Sequence, residues 1–128
     1  MISTSPTFDT RGLADLLDAC NQDQLDALEF GVIGFDAEDV VQRYNAVEMQ
    51  AAGLSMQRVI GEPLFTNVAP CLNNFLVAQR FEDAADEGSE LDDTIDYVLT
   101  LRMRPIKVKL RLLASAAGTL RYVLVQRR

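Results

Sequence analysis

Short apolar runs, each broken by acidic residues or glycine, set the rhythm of this chain. Leu13, Leu16, Leu17 and Cys20 recur at helical spacing behind Thr10, a residue able to cap a helix start, and a second short turn is expected over residues 24–28. The glycine-punctuated run Phe30-Gly-Val-Ile-Gly-Phe-Asp and the run Val40-Val-Gln-Arg-Tyr-Asn, separated by Asp36-Ala-Glu-Asp, then predict a β-hairpin. Residues 46–61 change to short helical turns, closed by Gly53 and Gly61 in positions suited to a left-handed cap. Phe75, Leu76, Val77 and Phe81 predict one longer helix over 73–87, ending at Gly88. The remainder alternates with period two and predicts three strands, over 94–104, 106–113 and 120–126. Ile95, Tyr97, Leu99, Leu101 and Met103 share one face of the first, and turns are expected at Met103-Arg-Pro-Ile and Ala117-Gly-Thr. These elements describe an α+β domain: a five-stranded antiparallel sheet with helices on one face and an N-terminal helical lead-in over residues 1–29.

Length and charge narrow the reading. The chain has 128 residues, enough for one domain spanning 1–128, and no apolar run approaches the ~20 residues of a membrane span. Its first residues lack a basic stretch followed by an apolar core, so a cytoplasmic, reducing location is expected, with no disulfide. Net charge is −7, which argues against nucleic acid as a partner. Lys107, Lys109 and Arg111 alternate with Ile106, Val108, Leu110 and Leu112, the pattern expected of a solvated strand face.

With no histidine and two cysteines, the chain cannot build a Cys/His zinc site or a histidine-based triad. Gly-Val-Ile-Gly lacks the spacing of a phosphate-cradling loop. Cys20, on the apolar side of the first helix, reads as a small hydrophobe. Cys71 follows a proline just ahead of an expected helix start, where a thiolate would be favoured, so it reads either as an attachment or nucleophilic residue or as a buried structural cysteine. Tyr44 and Glu48 stand four residues apart. If the chain turns helical at Asn45, both side chains reach the same side and can act on one shared acceptor; a surface glutamate and a core tyrosine are the alternative.

Three segments, Gln42-Arg-Tyr-Asn-Ala-Val-Glu48, Asn67-Val-Ala-Pro-Cys71 and Met103-Arg-Pro-Ile-Lys-Val-Lys109, together resemble the photoactive yellow protein family, in its order and near its spacing. The stretch Asp23-Gln-Leu-Asp-Ala-Leu-Glu-Phe-Gly-Val-Ile33 does so too, so the resemblance spans about the whole chain. It implies a PAS fold and a blue-light receptor in which Cys71 carries 4-hydroxycinnamic (p-coumaric) acid as a thioester. Tyr44 and a protonated Glu48 would hydrogen-bond the phenolate oxygen. Phe65, Val68, Ala69 and Pro70 would line the pocket, and Met103 would assist return to the dark form.

The same resemblance implies isomerisation on illumination, transfer of the Glu48 proton and loosening of the N-terminal helices. A downstream signalling protein of unknown identity is the expected partner, with no membrane and no nucleic acid involved and the chain a monomer or weak dimer. Ala52 replaces a threonine that supports the tyrosine in well-known members, and Leu54 replaces an arginine that covers the chromophore. Colour and recovery rate are therefore expected to differ. Two other readings stay open: a chromophore-free PAS interaction module, and an enzyme using Cys71, for which no histidine base exists.

Overall fold

A computed structural model describes residues 6–102, 104–115 and 120–127 of the chain. The sheet forms from β1 (Gly31–Phe35), β2 (Val41–Tyr44), β3 (Leu91–Arg102), β4 (Arg104–Ala114) and β5 (Arg121–Arg127). It is antiparallel throughout in the order β2-β1-β5-β4-β3, so the C-terminal meander is closed against the N-terminal hairpin by β1 pairing with β5. Strand pairing continues to Arg102 and Arg104, which places Pro105 and Ile106 inside β4 rather than in the expected turn. The second expected turn, at 117–119, lies outside the described residues.

Period-two alternation splits the sheet's side chains between two cores. One face carries Ile33, Val108, Leu110, Leu112, Val123 and Val125 and is packed by α3 (Ala46–Ala52), α4 (Met56–Val59), α5 (Ala78–Glu87) and the turns between them. The other carries Val32, Leu113, Tyr122 and Leu124 and is covered by the lead-in, α1 (Leu13–Ala19) and α2 (Gln22–Asp26), through Phe8, Leu13, Leu17, Leu25 and Leu28. The five-stranded α+β architecture is as expected, with the lead-in serving as the cover of the second face.

Local chemistry moves several boundaries. Thr10 does not cap α1: its hydroxyl accepts the Thr7 amide, and the helix starts behind Gly12 at φ 65°. Leu16 is exposed, so the apolar side of α1 rests on Leu13 and Leu17. The long helix begins five residues later than expected, at Ala78. Asn74 is the cause, since its side-chain oxygen accepts the amides of Leu76 and Val77 at 3.0 and 3.2 Å and holds them in a turn that competes with helix. Phe75 and Leu76 consequently face solvent, and only Val77 and Phe81 of the expected apolar set are buried.

The supposed solvated face of β4 is also corrected at one position. Arg111 is buried; its guanidinium bonds both carboxylate oxygens of Asp92 at 2.8 and 2.9 Å and the carbonyls of Phe8 and Thr10 at 2.9 and 2.7 Å. It ties the N-terminal segment to the sheet. Among the described residues no helix is long and apolar enough to cross a membrane.

Candidate functional site

Tyr44 closes β2 and Asn45 opens α3, and this junction sets the site. Asn45 is fully buried and accepts the Glu48 amide as a helix cap, which starts the helix and puts Glu48 one turn beyond Tyr44. The same side chain accepts the Val32 amide at 3.0 Å and donates to the carbonyls of Leu25 and Phe30 at 2.9 and 3.0 Å. Every hydrogen-bonding position of a buried amide is thereby used, and the junction is locked to β1 and to α2.

The Tyr44 phenol lies in the helix-side core and donates to the Leu54 carbonyl at 3.3 Å. Burial raises its pKa well above the ordinary tyrosine value, the nearby Glu48 charge raises it further, and Arg127 opposes them. Glu48 and Arg127 thus both lie within coulombic reach of the phenol, and no direct hydrogen bond joins Tyr44 to Glu48 among the described contacts. Glu48 is 1% exposed. Its two carboxylate oxygens accept from the two terminal nitrogens of Arg127 at 2.7 and 3.0 Å, a forked ion pair across the start of β1. Gly31 makes room for it, because a Cβ there would collide with the Glu48 carboxylate.

Cys71 is partly buried and packs against the same apolar cluster that holds Tyr44, Phe65, Val68 and Ala69. It sits in a single 3₁₀ turn, Pro70–Leu72, opened by the exposed Pro70 at a position where a proline's missing amide costs nothing. A π-helical turn, Leu64–Val68, precedes it and buries Phe65 and Val68. The helix-terminus argument for a favoured thiolate does not carry over, since α5 starts seven residues beyond Cys71. The turn is pinned instead by Tyr97 of β3, whose hydroxyl donates to the Cys71 carbonyl at 2.5 Å, and by Asn74, which donates to the same carbonyl at 3.2 Å. An open cleft of about 840 Å³, lined in part by Asn74, Leu76, Tyr97 and Val108, adjoins this turn.

Ala52 is buried at the end of α3, and Leu54 is half-buried against the helix-side core beside the tyrosine it bonds. Met103 lies outside the described residues. Arg127 was not singled out in the sequence, and Asn45 was named only as the point where the helix would begin. An asparagine just ahead of a helix is a recognisable cap signal, whereas nothing in the alternation of β5 marks Arg127 as the partner of a carboxylate on α3. Among the described residues, no cluster of His, Cys, Asp and Glu could hold a metal ion.

No family model matches the chain. It is 34% identical over 115 residues to the photoactive yellow protein of Rhodothalassium salexigens, covering 90% of this chain and 88% of that protein. To the photoactive yellow protein of Halochromatium salexigens it is 30% identical over 120 residues, covering 94% and 95%. Among solved structures, the photoactive yellow protein domain of the sensor histidine kinase Ppr from Rhodospirillum centenum superposes with a TM-score of 0.81 at 33% identity, covering 88% of this chain and 98% of that one. The PAS domain of the quorum-sensing receptor RpfR from Cronobacter turicensis, at 17% identity and a TM-score of 0.60 over 77% and 93% of the two chains, shows the fold alone. Identity of this extent over nearly the full length, on a PAS sheet with the same order of elements, makes the chain a member of the photoactive yellow protein family.

Proposed function

We propose that this protein is a blue-light photoreceptor in which Cys71 holds 4-hydroxycinnamic acid as a thioester and the phenolate end is met by Tyr44, with Glu48 able to join it as a second donor on release from Arg127. The observation that carries the reading is the sharing of one buried apolar cluster by Cys71, Tyr44, Phe65, Val68 and Ala69, with Glu48 beside the tyrosine. When bound, the chromophore supplies visible absorption and a double bond that isomerises.

The residues fit such a group in kind. Cys71 offers the attachment sulfur on a turn fixed through its backbone carbonyl, so that the thiol is not needed to hold the turn. Tyr44 keeps its proton throughout the neutral range because burial disfavours its anion, and its acceptor among the described residues, the Leu54 carbonyl, is held at a long 3.3 Å. It is therefore a donor ready for a stronger acceptor such as a phenolate, where a charge-assisted bond contributes about 1.5–3 kcal/mol. Phe65, Val68 and Ala69 are buried in the same helix-side core, and Leu54 packs against it where a polar cover stands in well-known members.

Output is proposed to run through the lead-in. Arg43 and Asn45 flank Tyr44 in sequence and both hold the cover of the opposite face, so a shift at the β2 end is felt there directly. By analogy with the photoactive yellow protein domain that belongs to a sensor histidine kinase, a signalling protein is the proposed receiver. A cytoplasmic location and a role without enzymatic turnover belong to the same proposal.

Treatment with an activated ester of 4-hydroxycinnamic acid tests the attachment. The expected result is one added acyl group by mass, retained in Cys20→Ser and absent in Cys71→Ser. An adduct at Cys20 alone, or none, sinks the reading and leaves a PAS module that binds no covalent chromophore.

A further inference from the structure

We propose that Arg127 is a positioning residue that controls whether Glu48 can serve an anionic oxygen in the pocket; the proposal rests on the photoreceptor reading above. A carboxylate only accepts hydrogen bonds. While both Glu48 oxygens accept from the Arg127 fork, Glu48 has no proton to offer a phenolate. To become a donor it must carry a proton, which neutralises the carboxylate and replaces the ion pair by weaker contacts to the guanidinium. Arg127 and the phenolate therefore compete for one side chain.

Three features of the pair support this role. Glu48 is 1% exposed, so water does not screen the choice of partner. Tyr44 feels both charges, Glu48 raising its pKa and Arg127 lowering it, which places the guanidinium within electrostatic reach of the phenol. Finally, the buried Nε of Arg127 has no acceptor among the described residues, so the guanidinium enters the site with a donor to spare. The charges and titrating groups that act on this tyrosine are Glu48 of α3 and Arg127 of β5.

The consequence is spectroscopic. A phenolate that receives fewer hydrogen bonds has a less localised ground-state charge and absorbs at longer wavelength. With Glu48 held by Arg127, Tyr44 is left as the main donor. Arg127→Gln removes the charge, frees Glu48 to donate and should move the visible band to shorter wavelength. Arg127→Lys keeps the charge and should stay closer to the unsubstituted protein.

The experiment pairs two readouts on the full chain. Denaturant unfolding before treatment with the activated ester compares Glu48→Gln, Arg127→Gln and the double variant. Arg127→Gln should lower the folding equilibrium constant by about a hundredfold, and the double variant should recover part of that loss, because a lone buried carboxylate is worse than none. After treatment, the band of Arg127→Gln should lie at shorter wavelength than that of the unsubstituted protein. An unchanged band or one at longer wavelength overturns the proposal even if the stability effects are non-additive, for the pair is then structural only. Strictly additive stability losses overturn it as well. Failure of every variant, and of the unsubstituted protein, to form a thioester instead sinks the photoreceptor reading and takes this proposal with it.

Discussion

Arg43 and Tyr44 are consecutive residues of β2 that serve opposite faces of the sheet. The Arg43 guanidinium donates to the carbonyls of Leu17 and Cys20 at 2.5 Å each, at the end of α1, while the Tyr44 phenol enters the helix-side core next to Glu48. Asn45, the next residue, returns to the lead-in through the Leu25 carbonyl. Any displacement of this strand end is shared between the candidate pocket and the cover of the other face. Asn45→Ala should cost at least about 2 kcal/mol in urea unfolding, since it strands buried carbonyls and the Val32 amide and removes the α3 cap. Its amide exchange should rise over residues 13–28 before the sheet opens. Uniform acceleration across the chain would show that the junction does not couple the two faces.

Gly31→Ala addresses the ion pair from the backbone side. The new Cβ would fall on the Glu48 carboxylate, which must swing away and give up Arg127. A loss of about 1–3 kcal/mol is expected from the forced repacking. In a Glu48→Ala background the same substitution should cost clearly less, because the obstructing atoms are gone. Equal losses in both backgrounds would mean that the glycine serves β1 for another reason.

Alkaline stability follows from two buried phenols. Desolvation is the main cause that raises both Tyr44 and Tyr122 above the ordinary value of 10.0, with the Asp18 carboxylate that accepts from Tyr122 at 2.6 Å adding to the second. Below that value both the folded and the unfolded chain keep the protons, and the contribution is fully present. As pH rises past it, the unfolded tyrosines ionise while the folded ones do not, and stability falls. Each group should contribute about 1.4 kcal/mol per pH unit to that fall. Tyr44→Phe and Tyr122→Phe should each flatten the alkaline limb of a stability profile, and a slope unchanged by both substitutions would contradict the assignment.

Much of the architecture was legible because it rests on local rules. The first hairpin, the period-two alternation and the left-handed glycines at 53 and 61 follow from local pattern and are present, while β4 starts at Arg104 instead of Ile106 and Gly88, expected only as the helix end, is left-handed too. Asn74 was missed because a single side chain accepting two amides outweighs the helical spacing of Phe75, Leu76 and Val77. Arg111 and Arg127 were missed for a different reason: each alternates like a solvent-facing residue, and each finds its partner 19 and 79 positions away, a distance that strand periodicity does not encode. Tyr44, Glu48 and Cys71 stood out by position, which left ordinary core and surface roles open, and the joint role proposed for them rests on the family motifs.

Arg111 gives a direct test of how the lead-in is held. Asp92 is about half exposed, so its ion pair alone should contribute little, and Asp92→Asn should cost under about 1 kcal/mol. Arg111→Met also removes the donors to the Phe8 and Thr10 carbonyls and should cost about 1–3 kcal/mol more. Amide exchange near residues 8–12 should rise in the methionine variant only. Similar losses in the two variants would assign the anchoring to Asp92 instead.

The central claim is that light acts on a chromophore bound at Cys71, and flash spectroscopy of the acylated protein measures it most directly. A blue flash is expected to bleach the visible band, which then recovers fully in the dark, with the signal absent in Cys71→Ser and altered in its recovery in Glu48→Gln. A stable thioester whose absorption ignores the flash, or a bleach that persists unchanged in Cys71→Ser, would contradict it.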